Sequence, residues 1–179
     1  MADHVAEASP RGHLRAGVWV AVDPGEVRTG VAASDSGQVL ASPVTTLNRA
    51  DAVAGVAQVV VERGAVGVIV GLPLSLSGAE GTSAHSARSY AVRLASALQV
   101  PVYLVDERLT TVSAGAALRA GGHDTRSARR VVDQAAATAL LQGVLDACAA
   151  RGLDCVRVLD GGLGERVGPE EGSEEGDRT

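Results

Sequence analysis

The sequence predicts an α/β fold, a mixed five-stranded sheet with helices on its faces, in the order β-β-β-α-β-α-β-α-α. Three observations carry this. Val18–Val22 is an unbroken apolar run, the pattern of a central strand buried on both sides. Val66–Val70 and Val102–Val105 are two more such runs, and the stretch between them has helical periodicity, so strand, helix and strand form a crossover that makes the pair parallel. A long helical pattern over Arg129–Ala149 then supplies cover for a sheet face.

Taken in order, residues 1–16 are polar and aperiodic and are expected to form a disordered tail. Asp23 and a Pro-Gly turn follow the first strand. A second strand is expected over Arg28–Ser34, leaving through "SDSGQ" (Ser34–Gln38), which has hairpin-turn composition. The third strand, Gln38–Thr46, contains Pro43; proline cannot donate to a ladder, so this strand belongs at a sheet edge. Asp51 can cap a helix with Val53, Val56, Ala57 and Val60 on one face, stopped near Gly64. Thr82 or Ser83 can cap a longer helix with Ala84, Ala87, Ala91, Leu94 and Leu98 in register, and Pro101 introduces the last parallel strand. Further helices are expected near Thr111–Arg119 and over Arg129–Ala149. Residues 17–160 thus make one domain, and the Gly/Glu-rich residues 161–179 an acidic disordered tail.

Composition narrows the function less than the motifs do. No apolar stretch is long enough to span a membrane and no signal-peptide core is visible, so a soluble cytoplasmic protein is expected. Cys148 and Cys155 lack metal-type spacing and are expected to be free thiols. All 16 basic residues are Arg. The net charge of −5 sits wholly in residues 160–179, which hold seven acids and two Arg; the remaining residues balance at 14 acids and 14 Arg. Bulk charge therefore neither indicates nor excludes a nucleic-acid partner, and local distribution must decide.

Three carboxylates stand out by position. Asp23 ends the first strand before Pro-Gly, where ordinary turn chemistry explains it equally well. Asp106 and Glu107 in "YLVDERLTT" end the last parallel strand, and open α/β sheets place their sites at such carboxyl ends. Side chains alternate along a strand, so only one of the two can face a site; the pattern alone does not say which. Asp133 heads the apolar stripe Ala136, Ala137, Leu140, Val144 rather than the polar stripe Arg130, Gln134, Thr138, Gln142. An inward carboxylate is costly unless paired or metal-bound. The plainer alternative is favourable interaction with the dipole of a helix whose first turn it would occupy.

Together, carboxylates converging from separate elements suit hard divalent cations in a two-metal phosphodiesterase site. His4, His13, His85 and His123 are scattered and offer no zinc cluster. Beside the acids, residues 108–130 contain Arg108, Arg119, Arg126, Arg129 and Arg130 against Asp124 alone. The segment "AGGHDTRSARR" reads as a flexible basic loop suited to gripping a phosphate backbone, or more plainly as a solvated surface loop.

Four stretches, "VDPGEVRTGVAASD", "VGLPLSLSGAEG", "VDERLTT" and "VDQAAATALLQ", occur in order between Val18 and Ala147. In these the sequence resembles the YqgF/RuvX family of pre-16S rRNA nucleases and Holliday-junction-resolvase-like proteins. The resemblance implies an RNase H-like fold with sheet order 3-2-1-4-5, strand 2 antiparallel and helices on both faces. It places Asp23, Glu107 and Asp133 on the family's acidic triad, binding Mg²⁺ or Mn²⁺. It implies nucleic-acid contacts at Arg28, Arg108, Thr110 and Thr111, beside the basic Arg126, Arg129 and Arg130. Ser75 stands where Asn is usual, and the acidic tail lies outside the resemblance.

The function expected is a metal-dependent endonuclease, leaving 5′-phosphate and 3′-hydroxyl ends, that processes the 5′ end of pre-16S rRNA. An alternative is a resolvase of four-way DNA junctions, which would act as a two-fold homodimer to make paired nicks. A non-catalytic nucleic-acid-binding module on the same fold is a third reading, set against the retention of all three acids. "DPGEVRTG" is also similar to the phosphate turn of sugar-kinase and actin-like ATPases, but those need a second domain that about 145 ordered residues cannot supply.

Overall fold

The structure, a computed structural model, describes residues 16–74, 81–107, 126–151 and 164–167; for 126–129, 151 and 164–166 only the main chain is described. The strands are β1 (Trp19–Pro24), β2 (Arg28–Ser34), β3 (Ala41–Asn48), β4 (Gly67–Leu72), β5 (Val102–Asp106) and β6 (Gly164–Val167). The described helices are α1 (Ala52–Arg63), α2 (Thr82–Ala97) and α3 (Arg126–Arg151), with a 3-10 turn at Arg49–Asp51 before α1. The helix expected near Thr111–Arg119 and the tail at residues 1–16 fall outside the described residues, apart from Ala16.

The sheet runs β3-β2-β1-β4-β5-β6. Its first five strands have the expected order, with β1 antiparallel to β2 and parallel to β4, and β4 parallel to β5. Pro43 lies in the edge strand β3, as its missing donor requires. The sixth strand differs from expectation. Gly164–Val167 lies in the stretch assigned to the tail, yet pairs antiparallel with β5 from Val102↔Val167 to Val105↔Gly164. Its four residues carry no strand pattern; the open edge of β5 supplies the ladder.

Alternation along the central strands divides the core in two. Val20, Val22, Val68, Val70, Val102 and Leu104 pack with α1 and α2 on one face. Trp19, Ala21, Ile69, Tyr103 and Val105 pack under Leu140, Leu141, Val144 and Leu145 of α3 on the other. This two-sided burial explains the unbroken apolar runs.

Gly64 ends α1 in the left-handed conformation (φ 57°), accepting the chain reversal that a side chain would resist. Asp51 occupies the cap position of α1 without a side-chain hydrogen bond to it. For α2 the cap is Gly81 rather than Thr82 or Ser83, both of which lie inside the helix. The β2–β3 hairpin is fastened by Asp35, whose carboxylate accepts from the main-chain N–H groups of Leu40 (2.7 Å), Val39 (2.8 Å) and Gly37 (3.1 Å). These bonds hold its pKa below the ordinary value. Cys148, expected to be a free thiol, is disulfide-bonded, and the chain's other cysteine, Cys155, lies outside the described residues. No described helix is long and apolar enough to cross a membrane.

Candidate functional site

The register brings the predicted residues to one face of the sheet. Ala21 faces α3, so Asp23, two residues on, shares that face. Asp23 pairs directly with Gly30, and opposed residues of an antiparallel pair point the same way. A Cβ at Gly30 would collide with the main-chain carbonyl of Asp133, which fixes that side as the α3 side. Arg28, two residues before Gly30, follows the same alternation, and its Nε donates to Asp133 Oδ2 at 2.8 Å.

The pair Asp106 and Glu107 separates by the same rule. Leu104 faces α1 and α2, which assigns Asp106 to that face. Glu107 folds over the α3 face: a Cβ at Gly71 would stand 2.7 Å from Glu107 Oε1 and 3.2 Å from Leu140 Cδ2. Glu107 N–H donates to Leu72 O at 3.3 Å, tying this residue to the end of β4. The carboxyl ends of β1, β4 and β5 thus share an edge with the Asp133 segment of α3.

Asp133 departs from expectation in one respect. Helix α3 begins at Arg126, not Arg129, so Asp133 lies beyond its first turn, which contains no acid. The dipole explanation therefore fails on distance, since that effect fades after the first turn. The residue is turned toward β2 and paired with Arg28, the side chains of the two being 28% and 22% exposed.

The basic segment is also partly helical. Arg126, Arg129 and Arg130 belong to α3, at i, i+3 and i+4, and Asp133 follows three residues after Arg130 in the same helix. Arg130 is exposed. Arg108, Thr110, Thr111 and Ser75 lie outside the described residues.

The turn carrying Asp23 and Arg28 has a support that the sequence patterns did not flag. Arg49 Nη1 donates to Gly25 O at 2.8 Å and its Nη2 to Ser86 Oγ at 2.8 Å. Its main-chain N–H donates to Val27 O at 3.0 Å, and its guanidinium lies 5.0 Å from the centre of the Tyr90 ring. Gly25 N–H closes the turn on Arg28 O at 2.8 Å. Below it, Thr29 Oγ1 and Tyr90 OH are buried with no partner of hydrogen-bonding geometry. Burial pushes the Tyr90 phenol up to about 12, against smaller opposing effects of Arg49, Arg93 and the nearby Thr29 hydroxyl. Neither Arg49 nor Tyr90 sits in a motif that spacing could reveal.

Gln142 was expected on a polar stripe. Instead it bridges α3 to the β2–β3 hairpin, accepting from Ala41 N–H at 2.9 Å and donating to Val39 O at 3.0 Å. Farther along, Thr46 Oγ1 donates to Arg130 O at 3.0 Å. These bonds fix α3, and with it Asp133, against β2 and β3.

The donor chemistry of Asp23, Glu107 and Asp133 fits a hard divalent cation, being all carboxylate oxygen on one face. The spacing is not closed. Among the described residues no three His, Cys, Asp or Glu side chains stand together closely enough to hold a metal, and Oδ2 of Asp133 is engaged by Arg28.

Residues 17–147 match the family model described as "RuvX: Holliday junction resolvase". The chain is 52% identical over 139 residues to a protein of Kineococcus radiotolerans named "Putative pre-16S rRNA nuclease", covering 75% of this chain and 74% of that one. Proteins of the same name from Thermobifida fusca (51% identical over 142 residues, 74% and 89% covered) and Leifsonia xyli (47% over 137 residues, 75% and 88%) are similar to it as well. In three dimensions it is similar to a Thermus thermophilus RuvC in complex with a Holliday junction substrate, with TM-score 0.49 and 15% identity over 76% of this chain and 96% of that chain.

Proposed function

The chain belongs to the RuvX family, and on that premise we propose that it is a divalent-metal-dependent endonuclease that trims the 5′ end of a 16S ribosomal RNA precursor. The observation that carries this reading is the gathering of Asp23, Glu107, Asp133 and Arg28 on the α3 face, at the carboxyl ends of the central strands. Names borne by relatives about half identical to this chain supply the substrate.

In this reading Asp23, Glu107 and Asp133 hold Mg²⁺ or Mn²⁺. The ions supply an activated water and stabilise the leaving 3′ oxygen. Asp23 stands in β1 and Asp133 in α3, and Glu107 directly follows β5, so regular elements position the oxygen donors. Arg28, Arg108 and Arg130, with Arg126 and Arg129 of the first turn of α3, contact phosphates, and Thr110 and Thr111 add hydroxyl donors. Phosphate contacts of this kind position the strand without reading its sequence, so cleavage-site choice comes from RNA shape.

The family description favours a second reading, resolution of four-way DNA junctions by a homodimer. One experiment separates the readings: cleavage of a labelled ribosomal precursor RNA and of a four-way DNA junction, in Mg²⁺ and in Mn²⁺, by wild type and by Asp23→Asn. RNA cleavage that disappears in the variant supports the proposal. Junction cleavage by a dimer favours the second reading. Binding without cleavage by either form would leave a nucleic-acid-binding module.

A further inference from the structure

We infer that Arg28 is an internal stand-in for the metal: its guanidinium holds Asp133 until a divalent cation takes that carboxylate, and the released arginine then grips the phosphate of the bound strand. The inference deepens the reading of a metal-dependent nuclease and rests on it.

Four observations support it. Arg28 Nε donates to Asp133 Oδ2 at 2.8 Å, so a cationic group already occupies one oxygen of a carboxylate of the candidate site. The contact is built by long-range structure, the residues being 105 apart in sequence, and both elements are fixed: β2 by its ladders, α3 by Gln142 and Thr46. The pair is part-exposed at 22% and 28%, so a hydrated ion can reach it and an arginine can leave it without unpacking the core. Finally, a cation placed on Asp133 Oδ2 would meet the guanidinium. Like charges at such distance repel strongly in a partly buried site, so ion and arginine compete for the same oxygen.

Arginine is suited to this exchange. It cannot lose its proton to relieve the repulsion, so it must move, and its planar fork then matches a phosphate as well as it matched the carboxylate. Arg28 begins β2 beside the Pro-Gly turn, which places its part-exposed side chain at the end of the strand.

The test is Mn²⁺ binding to the full chain by calorimetry and by electron paramagnetic resonance, without substrate. Arg28→Gln is expected to bind Mn²⁺ at least tenfold more tightly than wild type with unchanged stoichiometry. Arg28→Lys, which keeps the charge and loses the fork, is expected to fall between them. Arg130→Gln removes an exposed charge one turn away on α3 and controls for general electrostatics; a change below threefold is expected. The same Arg28→Gln protein should cleave more slowly at saturating Mn²⁺, a combination that mere loss of structure does not produce. Unchanged or weaker Mn²⁺ binding in Arg28→Gln overturns the inference alone, as does an equal gain in Arg130→Gln. Absence of Mn²⁺ binding in wild type and in both Arg28 variants overturns it together with the metal reading.

Discussion

Gly30 lies so close to the main chain of Asp133 that any side chain at this position would run into the Asp133 carbonyl. Gly30 is also the cross-strand partner of Asp23, so one missing Cβ sets the spacing between two of the three candidate ligands. The obstacle is backbone, held in a helix that other contacts pin to β2 and β3. Gly30→Ala is therefore expected to lift the Asp133 segment of α3 and to cost about 1–3 kcal/mol or more, as overpacking does. Urea denaturation gives the stability, and a midpoint equal to wild type would show that α3 yields freely.

Gly71 makes the contrasting case. Its virtual Cβ meets the carboxylate tip of Glu107 at 2.7 Å and the Leu140 methyl at 3.2 Å, groups that can rotate away. Gly71→Ala is expected to cost less than Gly30→Ala, roughly 1 kcal/mol or below, because side-chain ends adjust more cheaply than main chain. It should nonetheless displace Glu107 and reduce cleavage by at least tenfold. A variant with wild-type cleavage would remove Glu107 from the site.

Most of the fold was legible because one variable, burial on two faces, writes itself into the sequence as apolar runs. Val18–Val22 and Val66–Val70 could hardly be anything but central strands, and Pro43 marked the edge. Gly164–Val167 was not legible, since its strand exists through the edge of β5 and not through its own side chains. Within the site, Asp133 showed by its place on the apolar stripe of α3, and Asp23 by its place at a strand end. Alternation alone did not separate Glu107 from Asp106; the resemblance singled out Glu107, and the faces of β5 put the two on opposite sides. Gly30 carried no signal in the motifs, and its close approach to the Asp133 main chain shows only in the structure. Arg49, Tyr90 and Gln142 were not readable, because their partners come from other elements and obey no local period.

Asp133→Asn bears on the carboxylate as ligand. Removing an inward carboxylate that stood alone would leave the fold intact or more stable. The Arg28 partner changes the sign of that expectation: a part-exposed ion pair is lost, at a cost of about 0–1 kcal/mol. The amide oxygen can still accept from Arg28, which limits the loss. Cleavage should fall by several orders of magnitude while the melting temperature moves little. Retained cleavage would show that Asp133 serves Arg28 and not the reaction.

Arg49→Ala tests the support beneath the site turn. It deletes the charged donors to Gly25 O and Ser86 Oγ and the stacking on Tyr90. Charged hydrogen bonds of this kind and an exposed cation–π contact suggest a loss of about 2 kcal/mol. Cleavage under conditions where the variant is fully folded should also drop, since the segment from Asp23 to Arg28 loses its tether. Ser86→Ala removes one of these bonds only and should show a smaller effect of the same sign. Equal cleavage by folded Arg49→Ala and wild type would make the residue a purely structural brace.

Tyr90 gives a prediction for alkaline pH. Its phenol is raised to about 12 in the folded protein by burial, against an ordinary value of 10.0. Between these values the unfolded chain releases the proton and the folded chain keeps it, so the folded state binds more protons and stability falls as pH rises. The contribution is intact below pH 10 and is lost progressively toward pH 12; the shift corresponds to about 3 kcal/mol. Tyr90→Phe removes the titrating group and with it a buried hydroxyl that lacks a hydrogen-bonding partner. The variant should therefore be as stable as wild type or slightly more so at pH 8, and should lose less stability between pH 10 and 12. Urea midpoints measured at half-unit steps across that range check both parts. Parallel curves for the two proteins would show that Tyr90 ionises as easily folded as unfolded and would overturn the prediction.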